Sequence, residues 1–337
     1  MSRRVATAEL RAALEGCLGQ HLGRPMRVVA LDRRPAGAAS SFELEELVVG
    51  LEDAPPLWLA FKNLGREALF GAARTAKPPF LHDPRREIET YRSILSPGGF
   101  GAAFVGAVCD APTGRYWLFV EWVRGDELYA AGEFDVWLGV ARWLAGFHAC
   151  HAGRTEELAG RAPLLRHDGD YYRVWPRRAR AVLRARGVRR EVRARFDRLA
   201  QSYDRLVERL LALPPTLLHG DFYPANVLTQ LWTGGVRVWP VDWELAALGP
   251  GPEDLAALVA GKWGGAERRA MALAYRDALP SAGGWPPPAE DFLTALDWCR
   301  LHVAVRWLGW SADWSPPPVQ ANDWLGDAVG LADRLGL

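Results

Sequence analysis

The sequence predicts an α+β protein of two lobes: a β-rich first part, residues 1–121, and a mainly helical remainder, residues 122–337. Three observations lead there. Strand-like runs cluster in the first part, and helix-spaced apolar residues dominate the second. The 337 residues are enough for two cores of ordinary size. No internal repeat interrupts this order.

The elements follow in sequence. Leu10, Ala13, Leu14, Cys17 and Leu18 recur at helical spacing near the N-terminus. MRVVAL (26–31) reads as a strand and DRRPAGAASS as a loop. FELEELVVGL (42–51) and LWLAFKNL (57–64), joined by the turn EDAPP, read as a hairpin. The segment 64–83 looks irregular. Asp83 then caps a helix that opens on Pro84 and places Glu87, Tyr91 and Ile94 on one face. GAAFVGAVCD and YWLFVEWV supply two more strands. Beyond them, 135–150 has a helical apolar face. Residues 173–211 form an arginine-rich amphipathic helix or pair with a break at Gly187. VRVWPVDWELAAL (236–248) is strand-like at its start. Helices near 253–262, 266–278 and 289–308 complete the fold, and 311–324 is a Trp- and Pro-rich tail.

Composition narrows the function. Hydrophobic residues make up 49% and charged residues 24%, an ordinary globular balance. A formal net charge of +1 gives no global attraction to nucleic acid or to an anionic membrane. Only Lys62, Lys77 and Lys262 are lysines, every other cation being arginine, so a lysine inside an apolar segment is informative. Cys17, Cys109, Cys150 and Cys299 are scattered, without a C-x-x-C pair; this argues against a disulfide framework and fits a reduced cytoplasm. No run reaches the ~18 apolar residues of a membrane span. The expectation is a cytoplasmic protein with neither a membrane nor a nucleic acid as partner.

The stretch LLHGDFYPANVL, residues 217–228, concentrates polar chemistry between apolar flanks. Asp221 and Asn226 lie five apart across a turn containing Pro224. A carboxylate and a carboxamide oxygen there suit proton acceptance and a hard cation such as Mg2+. Asp242, after the apolar Val241 in VDWE, offers a third oxygen. The plain alternative is that Asp221 and Asn226 cap a turn. Lys62 sits in a strand pattern, where a compact ammonium could meet phosphate oxygens; the alternative is an edge-strand lysine that blocks aggregation. Glu87 or Glu89 could hold it. Small residues in Gly37-Ala38-Ala39-Ser40-Ser41 could let backbone N–H groups approach phosphate. There is no G-x-x-x-x-G-K-[ST], no G-x-G-x-x-G after the first strand and no G-x-S-x-G elbow.

In order, these features are a small-residue loop between strands, Lys62, Glu87, a connector, H-G-D-x-x-x-x-N and V-D-W-E. The chain thereby resembles the aminoglycoside phosphotransferase and choline kinase group, within the protein-kinase-like fold. LLHGDFYPANVL looks like that group's catalytic loop, and PVDWELAALGPGPEDLAAL like its metal-binding segment; the match spans roughly residues 28–260. The resemblance implies that Asp221 faces the acceptor hydroxyl and that Asn226 and Asp242 hold Mg2+. It implies that Lys62 contacts the ATP phosphates and pairs with Glu87, preferred over Glu89. Ser40 and Ser41 would lie over the phosphates. The connector Glu121 to Val123 would receive the adenine, and His219 and Asp254 would fix the loop. The implied activity is transfer of the γ-phosphoryl group of ATP, bound between the lobes, to a hydroxyl of a small molecule: an aminoglycoside, amino sugar, other sugar or amino alcohol. A nucleotide-binding scaffold without turnover is the alternative. A protein kinase is disfavoured because H-R-D, D-F-G and A-P-E are absent.

Departures from the family pattern are the long segment 64–83 and the weak glycine pattern of the nucleotide loop. The segment could cap the active site, with Lys77 and His82 reaching into it, but is read as surface decoration. HACH, His148 to His151, has metal-like spacing but resembles a helix end of this family. The arginine-rich helices carry interleaved acids, which argues against polyanion binding. Trp298, Trp307, Trp310, Trp314 and Trp324, with Asp297, Asp313 and Asp323, fall where the family builds its acceptor site; at least half of the tryptophans are expected to pack the core.

Overall fold

A computed structural model describes residues 5–36, 41–281, 283, 285–310 and 322–337. Ser40, Asp313 and Trp314 lie outside the described residues. The chain divides into two compact units. One comprises Met1–Arg124, Arg161–Pro163 and Val241–Glu244; the other comprises Gly125–Gly160, Leu164–Pro240 and Leu245–Leu337.

The first unit is built on an antiparallel sheet of β1 (Val28–Pro35), β2 (Leu44–Leu51), β3 (Ala54–Asn63), β4 (Phe104–Asp110) and β5 (Arg115–Glu121), in the order β1-β2-β3-β5-β4. Alternation sets its faces. Leu47, Val49, Leu51, Leu59, Phe61, Trp117 and Phe119 pack on Leu10, Leu14, Cys17 and Leu18 of the helix Thr7–Leu22. Gly106 permits that approach, because a Cβ there would lie 2.4 Å from Cys17 Cβ. Strand parity turns Lys62, next to Phe61, to the opposite face, where Glu87 and Tyr91 are also buried. The helix begins at Pro84–Glu89 with the Asp83 carboxylate accepting from Arg85 N, and continues through wider turns at Thr90–Leu95.

Three expectations are corrected here. β1 runs on into DRRP, because Arg33 and Arg34 pair with Leu47 and Glu46. β3 starts at Ala54 and includes two prolines of the expected turn; they lie at a register shift, before β5 begins to pair, so their missing N–H groups cost no ladder bond. Segment 64–83 is neither irregular nor surface decoration: it holds short helical turns at Arg66–Ala68, Gly71–Ala76 and Pro79–Leu81, and buries Ala68, Leu69, Ala76, Lys77 and Leu81.

The second unit is mainly helical. The helix Ala289–Leu308 packs against Gly169–Ala185, Pro252–Val259 and Trp324–Leu335. The arginine-rich region forms three helices, Gly169–Ala185, Arg190–Gln201 and Tyr203–Leu211; one break falls at Gly187 and a second at Ser202. Its cations pair with the interleaved acids, as in Arg180–Asp197 and Arg173–Asp204. The final helix was not expected; Asp323 caps it and Ala328, Val329, Leu331 and Ala332 bury its inner face. Two small sheets complete the unit: β6 (Asp126–Glu127) with β9 (Val227–Trp232) and β10 (Gly235–Pro240), and β7 (Leu165–Arg166) with β8 (Pro215–Leu218) and β11 (Ala247–Pro250). Residues 219–226 thus connect the end of β8 in one sheet to the start of β9 in the other. Among the described residues no helix is long and apolar enough to cross a membrane.

Candidate active site

The loop after β8 is fixed by its backbone. Asp254, buried at the start of the helix Pro252–Val259, accepts from His219 N at 2.7 Å and Gly220 N at 3.0 Å. His219 Nδ1 accepts from Asp221 N at 3.3 Å. Gly220 has φ +82°, and a Cβ there would lie 2.0 Å from Leu245 O; only glycine fits. The turn closes as Asn226 Nδ2 donates to Asp221 O at 3.0 Å and Asp221 Oδ2 at 3.1 Å.

These bonds hold the loop while leaving the Asp221 side chain 23% exposed. Arg306, buried on the helix Ala289–Leu308, donates to Gly220 O at 2.5 Å and stands 3.5 Å from Asp221 Oδ1. The sequence reading missed Arg306; its signal was a single cation inside the apolar run LHVAVRWL. His148 of HACH bonds Tyr275 Oη at 2.7 Å and Asp254 at 3.3 Å, and His151 bonds Phe147 O, so both serve internal bonds.

The first unit gathers a second group of charges. Lys62 lies on β3, the middle strand of five, so the edge-strand explanation does not hold. Its Nζ donates to Glu87 Oε2 at 2.8 Å and Asp242 Oδ1 at 2.5 Å. Glu89 instead pairs with Arg92. Burial works against the Lys62 ammonium, but Asp242, Glu87 and Glu244 outweigh it and hold its pKa above the ordinary lysine value. Burial also lifts Glu87 above the usual carboxylate range, against the opposing pull of Lys62. Asp242 has φ +67°, the one positive φ outside glycine among the described residues. Such backbone strain persists where surroundings over-determine it, and it concentrates at functional sites. Two residues on, Glu244 receives Lys77 Nζ and, at 2.9 Å, Ser41 Oγ. The sequence reading gave Glu244 no place in the site, and set Lys77 aside in favour of surface decoration. Arg86 donates to Leu81 O at 2.7 Å and Glu244 O at 2.9 Å, fixing this corner.

The remaining expected residues are placed as follows. Glu121 ends β5, with its N–H donating to Ala103 O and its carboxylate accepting from Ala103 N. Val123 follows, half-buried, in a connector without regular structure. Trp307 stacks with Trp324, with ring centroids 6.0 Å apart, and lies 6.3 Å from Tyr223 of the loop. Trp310 stacks on Trp175. Asp297 is engaged by Arg300 and Arg334. Asp323, Trp324 and Asp327 line a cavity of about 170 Å3 together with Asn322, whose amide reaches Tyr223 Oη at 2.9 Å.

An antiparallel sheet faced by a Lys–Glu pair, followed by a helical unit carrying H-G-D-x-x-x-x-N, defines a kinase-like α+β fold. The family model described as "Phosphotransferase enzyme family" matches residues 85–290. The chain belongs to that family. No curated protein matches the sequence. Among solved structures, it is similar to the GDP complex of wild-type aminoglycoside 2'-phosphotransferase-IIIa (13% identity, 96% and 97% of the two chains covered, TM-score 0.60). It is also similar to a microcompartment-associated aminopropanol kinase (17%, 89% and 90%, 0.59). A third is the Plasmodium vivax ethanolamine kinase (12%, 91% and 82%, 0.57). At these identities the likeness is one of fold.

Proposed function

We propose that this chain is an ATP- and Mg2+-dependent kinase that passes the γ-phosphoryl group to a hydroxyl of a small molecule. The observation that carries the reading is the loop 219–226. It immobilises its backbone through Asp254, Gly220 and Arg306 yet leaves the Asp221 carboxylate accessible. In this reading Asp221 orients the acceptor hydroxyl and takes its proton, and Lys62, held by Glu87, donates to the phosphates. Ser41 lies beside those phosphates, and the connector from Glu121 to Val123 receives the adenine.

The donor chemistry fits magnesium at each expected position. Asn226 uses its amide nitrogen on Asp221, so its Oδ1 is the atom that would hold Mg2+ in this reading. Asp242 is a carboxylate held partly exposed in a strained backbone conformation. Hard oxygen donors of this kind suit Mg2+, which neutralises phosphate charge when bound.

The acceptor class is an aminoglycoside, amino sugar, other sugar or amino alcohol. The names of the similar structures share amine-bearing alcohols. Asp323 and Asp327, in the cavity joined to Tyr223 through Asn322, supply carboxylates for an ammonium group. The test is nucleotide consumption, with ATP and with GTP, against a panel of aminoglycosides, sugars and amino alcohols. Acceptor-stimulated turnover lost in Asp221→Asn is the expected result. Turnover unchanged in that variant sinks the mechanism; Mg-ATP binding without any stimulated turnover favours a scaffold.

A further inference from the structure

We propose that Lys77 is a second phosphate-binding cation of the nucleotide site, supplied by the segment 64–83; the inference rests on the kinase reading above. Three observations carry it. First, only three residues of the chain are lysines, and two of them, Lys62 and Lys77, are buried together in the first unit. Their ammonium groups stand 5.7 and 5.5 Å from the centroid of the same ring, Phe42. A segment that merely linked a strand to a helix would leave its cations in water, as the third lysine, Lys262, is left.

Second, the two lysines make parallel contacts. Lys62 holds Asp242, and Lys77 holds Glu244 two residues later. Glu244 also accepts from Ser41 Oγ, so Lys77 and Ser41, which lies between β1 and β2, share one carboxylate. Two ammonium groups face three carboxylates there: Glu87, Asp242 and Glu244.

Third, the backbone that carries Lys77 is anchored without it. Ala68, Leu69, Ala76 and Leu81 are buried, and Arg86 ties Leu81 O to Glu244 O. The ammonium can therefore change partner while its segment stays in place. Lysine suits such an exchange, being a point charge on a flexible stem, whereas a guanidinium would prefer a fixed bidentate partner. On nucleotide binding Lys77 leaves Glu244 and donates to phosphate oxygens, adding to the charge that Lys62 supplies. No bond is made or broken in this exchange beyond hydrogen bonds.

The rival explanation is a tether: Lys77 matters only because it positions Glu244. Titration calorimetry with ATP and with adenosine separates the two, applied to the wild type, Lys77→Met, Glu244→Gln, the double variant and Lys62→Met, with thermal melts in parallel. Loss of one charge-assisted contact predicts an ATP Kd raised roughly 10- to 100-fold in Lys77→Met, with adenosine binding unchanged. The same factor should separate the double variant from Glu244→Gln, while the double variant melts above Lys77→Met because no buried charge is left unpaired. A Lys77→Met effect that vanishes in the Glu244→Gln background overturns the proposal in favour of the tether. So does an effect equal for ATP and adenosine, or no effect. If Lys62→Met weakens ATP and Lys77→Met does not, only the role of Lys77 falls. If the wild type does not bind ATP, or Lys62→Met binds it equally well, the kinase reading falls with it.

Discussion

Gly220→Ala puts the catalytic-loop reading to a quantitative test. The new Cβ would lie 2.0 Å from Leu245 O, where ordinary contact begins at 3.4 Å, so one side must retreat by more than an ångström. Leu245 leads into β11, whose Ala247 pairs with Leu218 just before the loop; that side is held by the sheet. The loop side is held by the Asp254 carboxylate on His219 N and Gly220 N. Holding an alanine at φ +82° costs about 1–2 kcal/mol. Losing one hydrogen bond to a charged group costs about 1.5–3 kcal/mol more. The expected destabilisation is about 2.5–5 kcal/mol, a large part of the ~5–15 kcal/mol typical of a folded protein. Urea unfolding followed by tryptophan fluorescence measures it, and turnover of the folded fraction gives kcat. Displacing Asp221 by about 1 Å should lower kcat roughly 100-fold. Gly16→Ala is the control, since nothing lies within 4 Å of a Cβ there and the site is mid-helix; a gain of about 0.5–1 kcal/mol is expected. A Gly220→Ala variant within about 1 kcal/mol of wild type, with unchanged kcat, would refute the argument that strain and contact at this glycine position the loop.

Two further perturbations probe the helical unit. Arg306→Met removes the donor to Gly220 O and the cation near Asp221; kcat should fall roughly 10- to 100-fold with nucleotide KM nearly unchanged, and Arg306→Lys should recover part of it. An equal loss in KM would place Arg306 on the nucleotide instead. His302 is buried, with Nδ1 on Tyr203 Oη at 2.9 Å and no partner for Nε2. Burial pushes its pKa down to about 3, with Arg306 and His167 pushing the same way and Glu253 opposing. The unfolded chain therefore binds a proton below its ordinary value of 6.5 that the folded chain refuses. The stability is complete above that pH and falls as pH drops towards 3, by about 2 kcal/mol between pH 7 and 5. His302→Phe should lose about 2 kcal/mol less than wild type over that interval in urea midpoints. Identical pH dependence in the two proteins would refute the assignment to His302.

Much of the fold was legible because its elements carry their own periodicity. Strand-like runs at 42–51 and 57–64 around a Pro-containing turn, and helical spacing in 7–22 and 135–150, are signals local to each element. The Asp83–Pro84 helix start and the break at Gly187 are backbone chemistry, which a sequence states directly. The segment 64–83 was misread for the converse reason. Its short turns are too brief for a period, and the burial of Lys77 depends on Glu244, 167 positions away in the chain. The last helix was hidden because the Trp- and Pro-rich stretch before it masks the Asp323 cap. In the candidate site, Asp221, Asn226 and Asp242 were readable as motif positions, and Lys62 by its rarity. Arg306 was readable in principle as a lone charge in an apolar run, yet its partner is a backbone carbonyl, and no sequence pattern names a backbone atom.

The two acidic motifs solve one physical problem in two ways. Each places an aspartate at the end of an apolar strand, beside a buried cation: Asp221 near Arg306, and Asp242 on Lys62. Each needs a residue with left-handed backbone to turn the chain there. After β8 the turn is delegated to Gly220, which bears φ +82° at no steric cost and leaves Asp221 to be aimed by its hydrogen bonds. After β10 the aspartate takes the conformation itself, at φ +67°, and the Lys62 bond holds the side chain that the strained backbone directs. Aspartate tolerates that region better than most residues, so the cost is modest, but it is a cost glycine would have avoided. If Asp242 holds Mg2+ as proposed, that cost is the one incurred for a carboxylate at that backbone position and not one residue to either side. Asp221 is steered by what surrounds it, whereas Asp242 is steered by its own backbone.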